Sequence, residues 1–538
     1  MDNNSNGKSR MSFPRVHYIV FALMFPVLQA SAAVLYVDVN SPGPVPPYNS
    51  LATAASDIQT AVDAANNGDL ILVNDGYYAT GATATKQSLT GLGTTYFDTN
   101  RVAITKVVTV QSINGPNVAY IDGGGQFRCA FVTNGAVLSG FTLQNGLVGW
   151  TQTTVLLGHS ITKTNLSNGA GIACVGLGLN AGLVTNCILS GNFAYGYGGG
   201  AAGVSLVNCM LQYNSAISGG GAFACSLTNC IVNGNNAMTT GKIPNGLQPP
   251  PTTLSAVGGG LYRGWACNCL IENNSAFDGG GAFGASSLVN CTIVNNSSTY
   301  AGGVDNVVLE AGYTFNAFYN CIIYDNSASG TNSNFGTGSL AFNSCCLTPL
   351  PANGTGNFTN DPAFEDYWGG DFHLQATSVC INSGNNSAVI VTNDLDGNPR
   401  IIAATVDTGC YEFTNPASLL GYLWAQQYGF PVDGSADFLD PDGDGMNNWQ
   451  EFVAGTNPTN AASVLTMNYA VPQPEFNWTL IQWQGVSTRT YYLQRSTNLS
   501  TGFSTIQSNL VGYNGVNLIY DTTATNSGSY FYRIGVQW

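Results

Sequence analysis

The sequence predicts an all-β protein built mainly as a solenoid of stacked strands. Three observations predict it: an Asn-Cys pair occurs six times, another Asn follows each cysteine five residues later, and Gly-Gly-Gly runs separate most copies. The shortest intervals between repeat cysteines are 21 and 22 residues, which suits one solenoid coil but is too short for a strand, a helix and a second strand. The pairs begin at Asn186, Asn208, Asn229, Asn268, Asn290 and Asn320, and the trailing residues are Asn192, Asn214, Asn235, Asn274, Asn296 and Asn326.

Composition agrees with stacked β-structure. Charged residues make up 8% of the 538 residues, while glycine occurs 66 times. The surface must therefore consist largely of small polar residues rather than ion pairs. The net charge of −15 disfavours nucleic acid as a partner and favours cations as ligands.

The N-terminus has the order of a secretory signal peptide. Basic residues precede the apolar run from Tyr18 to Leu28, and Ala30-Ser31-Ala32 follows it. This pattern predicts a signal peptide over residues 1–32 with cleavage after Ala32, and hence a secreted or cell-surface protein. No later segment approaches the ~18 apolar residues that a membrane span requires. The oligomeric state is not predicted.

The elements after the signal peptide predict a cap for the open end of the solenoid. Leu35 to Val39 alternates like a strand, Ser56 to Asn67 has helical spacing with Ser56 as the candidate N-cap, and Leu70 to Val73 is a buried strand. Further strands are predicted over Val102 to Val110 and Ala119 to Asp122. An uncapped stack would expose its strand edges to other chains.

The repeat cysteines are predicted to form a ladder of buried thiols. Equivalent residues on adjacent strands are ~4.8 Å apart and point the same way, so a disulfide between them would be strained. Cys380 and Cys410 lie outside this ladder and are the candidates for a disulfide. The trailing asparagines are predicted to form a second ladder at a turn, where Asn tolerates left-handed backbone.

Two other repeat positions are apolar. Phe223, Tyr262 and Phe283 follow the glycine runs in one column, which predicts an internal aromatic stack.

The residue after each repeat cysteine should point outward, yet it is apolar in most copies. This stripe is either covered by another part of the chain, which we favour, or a contact surface. Its members are Ile188, Met210, Ile231, Leu270, Thr292 and Ile322.

The repeat is interrupted between Cys230 and Cys269 by a loop over residues Thr239 to Ala256. Loops on rigid scaffolds commonly carry binding residues. Beside this loop lie aromatic and charged residues that are rare elsewhere in the chain. They are predicted either to line a sugar-binding groove or to form a local ion pair, and the ion pair is favoured. The candidate binding residues are Tyr262, Arg263 and Trp265, and the candidate catalytic residues are Arg263 and Glu272.

The chain resembles secreted bacterial right-handed parallel β-helix proteins in three features. These are the repeats, the N-terminal helix and the segment that runs from Asp394 to Arg400 and ends with Asp407 to Glu412. This resemblance to the pectate-lyase-like superfamily covers residues 33–413. The glycine corners and Asn-x-Ala endings also resemble repeats of chlamydial polymorphic outer-membrane adhesins. Pectate lyases place a basic residue beside clustered Asp ligands for calcium, and this chain has no such cluster near Arg263 in sequence. Carboxylates from different coils could still converge, namely Glu272, Asp278, Asp305 and Glu310.

Residues 414–464 are predicted to form a linker with a helix and a calcium loop. Leu419 to Tyr428 has helical spacing, and the segment from Asp440 to Glu451 matches the EF-hand loop pattern. Calcium prefers oxygen ligands, and Gly445 permits the sharp turn. The segment resembles dockerin-like or thrombospondin-type loops, which implies a structural clamp rather than a switch. The predicted ligands are Asp440, Asp442, Asp444, the Met446 carbonyl, Asn448 and Glu451.

Residues 465–538 contain short alternating strands that resemble a fibronectin-III-like β-sandwich. Trp478, Trp483 and Tyr492 belong to its core or to a sugar-stacking face, and the core is favoured.

Two functions are consistent with these features. The favoured one is an exported binding protein of adhesin type, with a polysaccharide or a surface protein as its partner. The alternative is a polysaccharide lyase or glycoside hydrolase. A β-helix is a scaffold that does not by itself specify activity.

Overall fold

The computed structural model describes residues 32–87, 96–156, 159–165, 167–174, 181–238, 256–306, 316–330, 333–336, 340–402, 405–414, 416–500, 502–524 and 529–537. The predicted signal peptide and the loop from Thr239 onward therefore lie outside the described residues, apart from Ala32 and Ala256. None of the described helices is both long and apolar enough to cross a membrane.

The N-terminal elements form the first coils. Their helix is α1 (Ile58–Ala64), and Asp57 caps it by accepting a hydrogen bond from the Thr60 N–H at 2.8 Å. The prediction of Ser56 as the cap was wrong by one residue. The strands are β1 (Val34–Val37), β2 (Leu70–Val73), β3 (Gly76–Tyr78), β4 (Thr83–Gln87), β5 (Tyr96–Ile104), β6 (Thr109–Ser112), β7 (Ala119–Asp122), β8 (Arg128–Val132), β9 (Val137–Ser139), β10 (Thr142–Gln144), β11 (Leu147–Val148), β12 (Trp150–Leu156) and β13 (His159–Asn165).

The repeats continue the stack with short strands. These are β14 (Ile172–Cys174), β15 (Leu183–Thr185), β16 (Ile188–Ser190), β17 (Phe193–Tyr197), β18 (Ala201–Ala202), β19 (Ser205–Val207), β20 (Met210–Gln212), β21 (Ser215–Ser218), β22 (Ala222–Thr228), β23 (Ile231–Asn233), β24 (Asn236–Ala237), β25 (Leu261–Cys267), β26 (Leu270–Glu272), β27 (Ala282–Phe283), β28 (Ser287–Val289), β29 (Thr292–Val294), β30 (Ser297–Ser298), β31 (Val304–Asp305), β32 (Asn316–Tyr319), β33 (Ile322–Tyr324), β34 (Ser327–Ala328), β35 (Leu340–Asn343) and β36 (Cys346–Leu347).

Successive coils pair in parallel and in register, which makes this part of the chain a parallel β-helix. In the described residues, one sheet of 10 strands runs through β16, β20, β23, β26, β29 and β33, and Ile188 pairs with Met210, which pairs with Ile231. A larger sheet of 18 strands forms another side and includes β22, β25, β27 and β31. One continuous apolar core fills the space between the sheets. The all-β solenoid predicted from the repeat is confirmed.

The trailing asparagines form a buried ladder along the stack. The Asn235 side chain accepts hydrogen bonds from the Asn214 N–H and amide at 3.0 Å and donates to the Leu211 carbonyl at 2.8 Å. Left-handed backbone occurs instead at the leading asparagines, whose φ angles lie between 51° and 59°. The ladder of trailing asparagines was therefore predicted correctly. The left-handed backbone predicted for them occurs instead at the asparagines that precede the repeat cysteines.

The repeat cysteines lie inside the stack as free thiols. The ladder is longer than the Asn-Cys pattern indicates: Ser344-Cys345 is a further copy, and the Cys345 sulfur accepts a hydrogen bond from the Cys321 N–H at 3.4 Å. Cys380 and Cys410 are also free and buried, so their predicted pairing was wrong. Cys380 instead lies within hydrogen-bonding contact of Cys346.

The chain after the last coil folds back over the apolar stripe. Strands β37 (Phe364–Asp366) and β38 (Asp371–Leu374) belong to this cover, and Phe364 and Phe372 join Leu270 and Ile322 in one buried cluster. The Cys410 N–H donates to the Thr292 hydroxyl at 3.1 Å. The favoured prediction of an intramolecular cover is confirmed for this half of the stripe, whereas Ile188 and Met210 remain half-buried.

The run from Asp394 to Glu412 has a structural role in this cover. Arg400 and Glu412 are each 1% exposed, and the guanidinium Nε lies 3.3 Å from the Glu412 carboxylate. Arg400 also donates to the Asp407 carbonyl at 3.1 Å. A buried ion pair of this kind needs every such hydrogen bond to offset its desolvation.

The C-terminal part begins with α2 (Tyr422–Tyr428) and α3 (Asn448–Ala454), on either side of the acidic loop. The strands that follow are β39 (Met467–Gln473), β40 (Trp478–Gly485), β41 (Thr490–Ser496), β42 (Ser504–Val511), β43 (Gly515–Asp521) and β44 (Phe531–Gln537). They form two three-stranded antiparallel sheets, one in the order β39–β40–β43 and the other in the order β42–β41–β44. Ile481, Trp483 and Tyr491 fill the core between the two sheets.

Candidate functional site

The glycine runs turn the chain between two sides of the β-helix. Gly198 and Gly219 have φ angles of +67° and +66°, and a Cβ on Gly199 would lie 2.3 Å from the Ser215 carbonyl oxygen. Only glycine fits a corner in which backbone contacts backbone so closely. Side chains just before and after this corner therefore flank a strip of bare backbone.

The second residue after each corner belongs to a column on the outer face of the large sheet. Phe223 pairs with Tyr262, Tyr262 with Phe283, and Phe283 with Asp305. Their strand neighbours Ala222, Leu261 and Ala282 lie in the core, so alternation directs this column outward. The stack predicted from the repeat exists, and Phe223 and Phe283 are buried in it at 9% and 5% exposure. It lies, however, in a separate apolar cluster on the side of the strands opposite the main core.

Aromatic rings line this surface. The centroids of Phe223 and Tyr262 are 5.4 Å apart, and those of Tyr262 and Phe283 are 6.2 Å apart. Tyr197, which precedes the corner, adds a ring 4.8 Å from Phe223. Sequence reasoning missed Tyr197, although its position immediately before Gly198 matches that of Asp278 before Gly279.

Arg263 extends the same surface. It adopts left-handed backbone with a φ of 60°, and its guanidinium lies 5.2 Å from the centre of the Tyr262 ring. Left-handed backbone costs a non-glycine residue about 1 kcal/mol or more. The equivalent residues in neighbouring coils are Gly203, Ala224 and Gly284.

Trp265 lies on the same face of β25, because the next residue, Ala266, points into the core. Tyr262, Arg263 and Trp265 are all half-buried. The structure thus places the three predicted binding residues on one strand. We call the outward side chains of Tyr197, Phe223, Tyr262, Arg263, Trp265 and Phe283 the corner surface.

Two carboxyl groups meet at the end of the corner surface. Asp278 and Asp305 come from successive coils, and their carboxyl groups are hydrogen-bonded to each other. Burial, followed by the charge of Asp305, raises the pKa of Asp278 to about 7. The pair can therefore hold one shared proton near neutral pH.

The other predicted carboxylates do not join this pair. Glu272 lies on β26 in the 10-stranded sheet, where its carboxylate accepts a hydrogen bond from the Asn273 amide at 2.9 Å. Burial raises its pKa. Arg263 and Glu272, the two candidate catalytic residues, thus lie in different sheets. Glu310 lies outside the described residues.

The acidic loop before α3 brings carboxylates together. Asp440, Asp442 and Asp444 each offer an oxygen, and these oxygens lie within 4.8 Å of one another. The Asp440 carboxylate accepts hydrogen bonds from the N–H groups of Gly443 and Gly445 at 2.8 and 3.0 Å. Gly445 has a φ of +95°, in keeping with the sharp turn.

Glu451, on α3, lies near enough to this acidic cluster to feel the charges of its aspartates. It is fully buried, and neither carboxylate oxygen finds a hydrogen-bond partner among the described residues. One oxygen each of Asp442 and Asp444 is likewise buried without a partner there. Burial, together with the charges of Asp442 and Asp444, raises the pKa of Glu451 to about 7. Unsatisfied buried carboxylates fit a bound cation, and an all-oxygen donor set suits calcium.

Asn448 has a different surrounding from the other predicted ligands. Its amide nitrogen donates to the Ala436 carbonyl at 2.9 Å, while its buried side-chain oxygen finds no partner in the described part of the chain. That oxygen is therefore available as a ligand. The Met446 sulfur accepts a hydrogen bond from the Leu465 N–H at 3.3 Å, which ties the loop to the C-terminal sheets.

No protein-family model matches this chain, and no curated protein matches it either. Among solved structures it is similar to the crystal structure of pectate lyase Pel9A, with 15% identity and a TM-score of 0.39 over 71% of this chain and 97% of that one. It is also similar to a rhamnogalacturonan lyase, with 9% identity and a TM-score of 0.31 over the same shares. The strand registers described above show the fold directly. The chain is a parallel β-helix protein.

Proposed function

We propose that this parallel β-helix protein is exported and acts outside the cell or on its surface as a binding protein of adhesin type. The corner surface is its binding site, and a polysaccharide is the favoured partner over a surface protein. The single observation that carries this proposal is Arg263, which is kept in left-handed backbone beside Tyr262 although neighbouring coils use small residues.

The chemistry of the corner surface supports a sugar ligand. Aromatic rings provide flat apolar faces, and the half-buried rings of Tyr197 and Tyr262 are in part accessible. A guanidinium forms bidentate hydrogen bonds with carboxylates. We therefore expect the preferred polysaccharide to carry uronate groups that pair with Arg263 while neighbouring sugar rings contact the tyrosines.

Binding measurements on the mature chain test this proposal. We expect Arg263→Ala to weaken binding to a uronate-containing polysaccharide at least about 10-fold, which corresponds to the loss of one charged hydrogen-bonded contact. Arg533→Ala is the matched control, because Arg533 also lies over an aromatic ring, at 4.6 Å from Phe503, in the C-terminal sheets. Equal affinity of the Arg263 variant and the wild type would exclude the corner surface, and binding only to proteins would exclude the polysaccharide.

A second candidate function is a polysaccharide-degrading enzyme, and the Asp278–Asp305 pair favours it. A carboxyl group with a pKa near 7 is suited to general acid catalysis. However, glycosidases that use two carboxyl groups separate them by about 5 Å or more, whereas these two are in direct hydrogen-bonding contact. For this reason we favour binding over catalysis.

Product assays separate the two functions. Incubation of the mature protein with acidic and neutral polysaccharides is followed by assays for new reducing ends and for unsaturated products that absorb ultraviolet light. Turnover that is lost in both Asp278→Asn and Asp305→Asn would establish the enzyme. Polysaccharide binding without product supports the binding protein.

We further propose that the acidic loop binds calcium as a structural clamp. The ligands would be Asp440, Asp442, Asp444, the Met446 carbonyl, the Asn448 side-chain oxygen and Glu451. The position of α3 supports a clamp: Arg489 donates to the carbonyls of Phe452 and Val453 at 2.8 and 2.7 Å, and the Phe452 ring lies 5.5 Å from that of Trp424. A calcium ion would hold α3 between α2 and the C-terminal sheets.

Export is tested by expressing the full chain in a bacterial host and sequencing the N-terminus of protein recovered outside the cytoplasm. Cleavage after Ala32 is the expected result. Retention of the uncleaved chain in the cytoplasm would contradict it.

A further inference from the structure

The sheet formed by β39, β40 and β43 exposes an apolar outer face. Its inner face is buried, with Ile481 at 0% and Trp483 at 2% exposure. The alternate residues face solvent, and cross-strand pairing places them side by side: Leu480 pairs with both Val471 and Tyr520. Five of these outer residues are between 39% and 53% exposed, namely Tyr469, Val471, Val516, Leu518 and Tyr520. We call this the sandwich face.

Aromatic rings form a continuous platform at one end of the sandwich face. The rings of Phe476 and Trp478 stack with centroids 5.4 Å apart and an angle of 19° between their planes. Tyr520 packs edge-on against Trp478 at 4.6 Å. The Trp478 ring is thus held from two sides while Phe476 is 62% exposed. The sequence-based preference for a core role holds for Trp483 but not for Trp478.

Glutamines, rather than charged residues, accompany these rings. Three glutamines share the sandwich face, because residues paired directly across antiparallel strands point to the same side of the sheet. Gln473 pairs with Trp478, Gln482 with Tyr469, and Gln484 with Val516. Their amides make no hydrogen bond to other described residues, so they are available to a ligand. Glu475 lies on the turn between β39 and β40, next to Phe476.

We propose that the sandwich face binds a neutral polysaccharide chain. Pyranose rings stack their apolar faces on aromatic side chains, and amides exchange hydrogen bonds with sugar hydroxyls. An anionic polymer is disfavoured at this face because Glu475 borders it and none of the outer residues named above is basic. A second copy of this chain fits less well, because a flat self-interface would bury the three glutamine amides and leave them to find new partners.

This proposal is independent of the corner surface, which lies on the β-helix. The test uses the full mature chain and measures its retention on insoluble cellulose, xylan and mannan, with polygalacturonate as the acidic comparison. We expect at least one neutral polymer to retain the protein. Trp478→Ala and Tyr520→Ala should each weaken that retention by about 10-fold or more, because each removes one ring of the aromatic platform.

Phe531→Ala is the matched control, because Phe531 is 37% exposed on β44 in the opposite sheet. Circular dichroism in the near ultraviolet establishes whether each variant is folded, and Tyr520→Ala keeps the test valid if Trp478→Ala does not fold. Three outcomes would overturn the proposal. The two sandwich-face variants could be retained as well as the wild type, the protein could be retained on polygalacturonate alone, or the protein could form a dimer that Tyr520→Ala dissociates.

Discussion

Asp278 and Asp305 share a hydrogen bond between their carboxyl groups across two successive coils of the β-helix. The folded protein holds a proton on Asp278 up to a pH of about 7, whereas an aspartate ordinarily loses it near 3.8. The native state therefore binds more protons than the unfolded state between these values, and its stability falls as the pH rises through this window. This predicts that Asp278→Asn stabilises the protein above pH 7 and has little effect near pH 4.

Because Asp278 is only half-buried, solvent screening should limit the gain to about 1 kcal/mol. Urea unfolding at pH 4.5 and pH 8 measures it. Glu475→Gln, on an exposed turn, is the control and should not reproduce the pH dependence. An equal effect of Asp278→Asn at both pH values would show that the two carboxyl groups do not share a proton.

The asparagine ladder makes a second prediction. Asn235 is fully buried and bonds to neighbouring coils, so Asn235→Ala removes the hydrogen bond that the Asn214 N–H donates and the one that the Leu211 carbonyl accepts. Each unsatisfied buried group costs about 1–3 kcal/mol, and we expect a loss of roughly 3 kcal/mol in the free energy of unfolding. Asn233→Ala, at the half-buried end of β23 two residues before Asn235, should cost less than about 1 kcal/mol. Similar losses in both variants would argue against the ladder as a main source of stability.

The segment that covers the apolar stripe leads to a third prediction. Ile322 and Ile188 occupy the same repeat position, but Ile322 is 1% exposed beneath the cover while Ile188 is half-buried. Truncating a buried isoleucine to alanine typically costs 2–5 kcal/mol. Ile322→Ala should therefore lower stability by about 3 kcal/mol and make the segment from Phe358 to Phe413 more sensitive to protease. Ile188→Ala should cost about 1 kcal/mol and leave protease sensitivity unchanged; the reverse order would contradict the cover.

The proposed calcium site leads to a fourth prediction. If Glu451 is a ligand, Glu451→Gln should reduce calcium affinity at least about 100-fold in isothermal titration calorimetry, since the bidentate carboxylate at the last loop position is lost. The pKa of Glu451 near 7 also predicts weaker binding and greater proton release at pH 6 than at pH 8, because the carboxyl group must lose its proton to bind. Asp433→Asn, just before the loop, is the control. Unchanged affinity in the Glu451 variant would exclude the EF-hand arrangement.

Sequence patterns were sufficient wherever a residue type is required at a fixed position in each coil. The thiol ladder, the asparagine ladder and the glycine corners follow from spacing alone, and the structure contains all three. The copy at Ser344-Cys345 was missed because serine there takes the left-handed backbone that asparagine takes elsewhere, so the Asn-Cys pattern does not include it.

The candidate sites were predicted less completely. Tyr262, Arg263 and Trp265 were found because they are unusual in a chain poor in charge. Glu272 was grouped with them by sequence distance, yet the turn at Asn268-Cys269 carries the chain from the larger sheet into the 10-stranded sheet before it reaches Glu272. Tyr197 and the Asp278–Asp305 pair bring residues of different coils together, and no local pattern indicates which side chains lean toward the next coil.

The sequence by itself determined the stack, because a 21- or 22-residue repeat with one apolar strand position and one glycine corner has a single efficient way to bury its core. Only the tertiary structure decided which faces remained open. The aromatic column points outward because it alternates with the core-facing residues that directly follow each glycine corner. Half of the stripe is buried because a distant segment folds over it. The sandwich face is exposed because no described segment covers it. Those outcomes depend on contacts between residues far apart in the chain, and local residue preferences do not encode them.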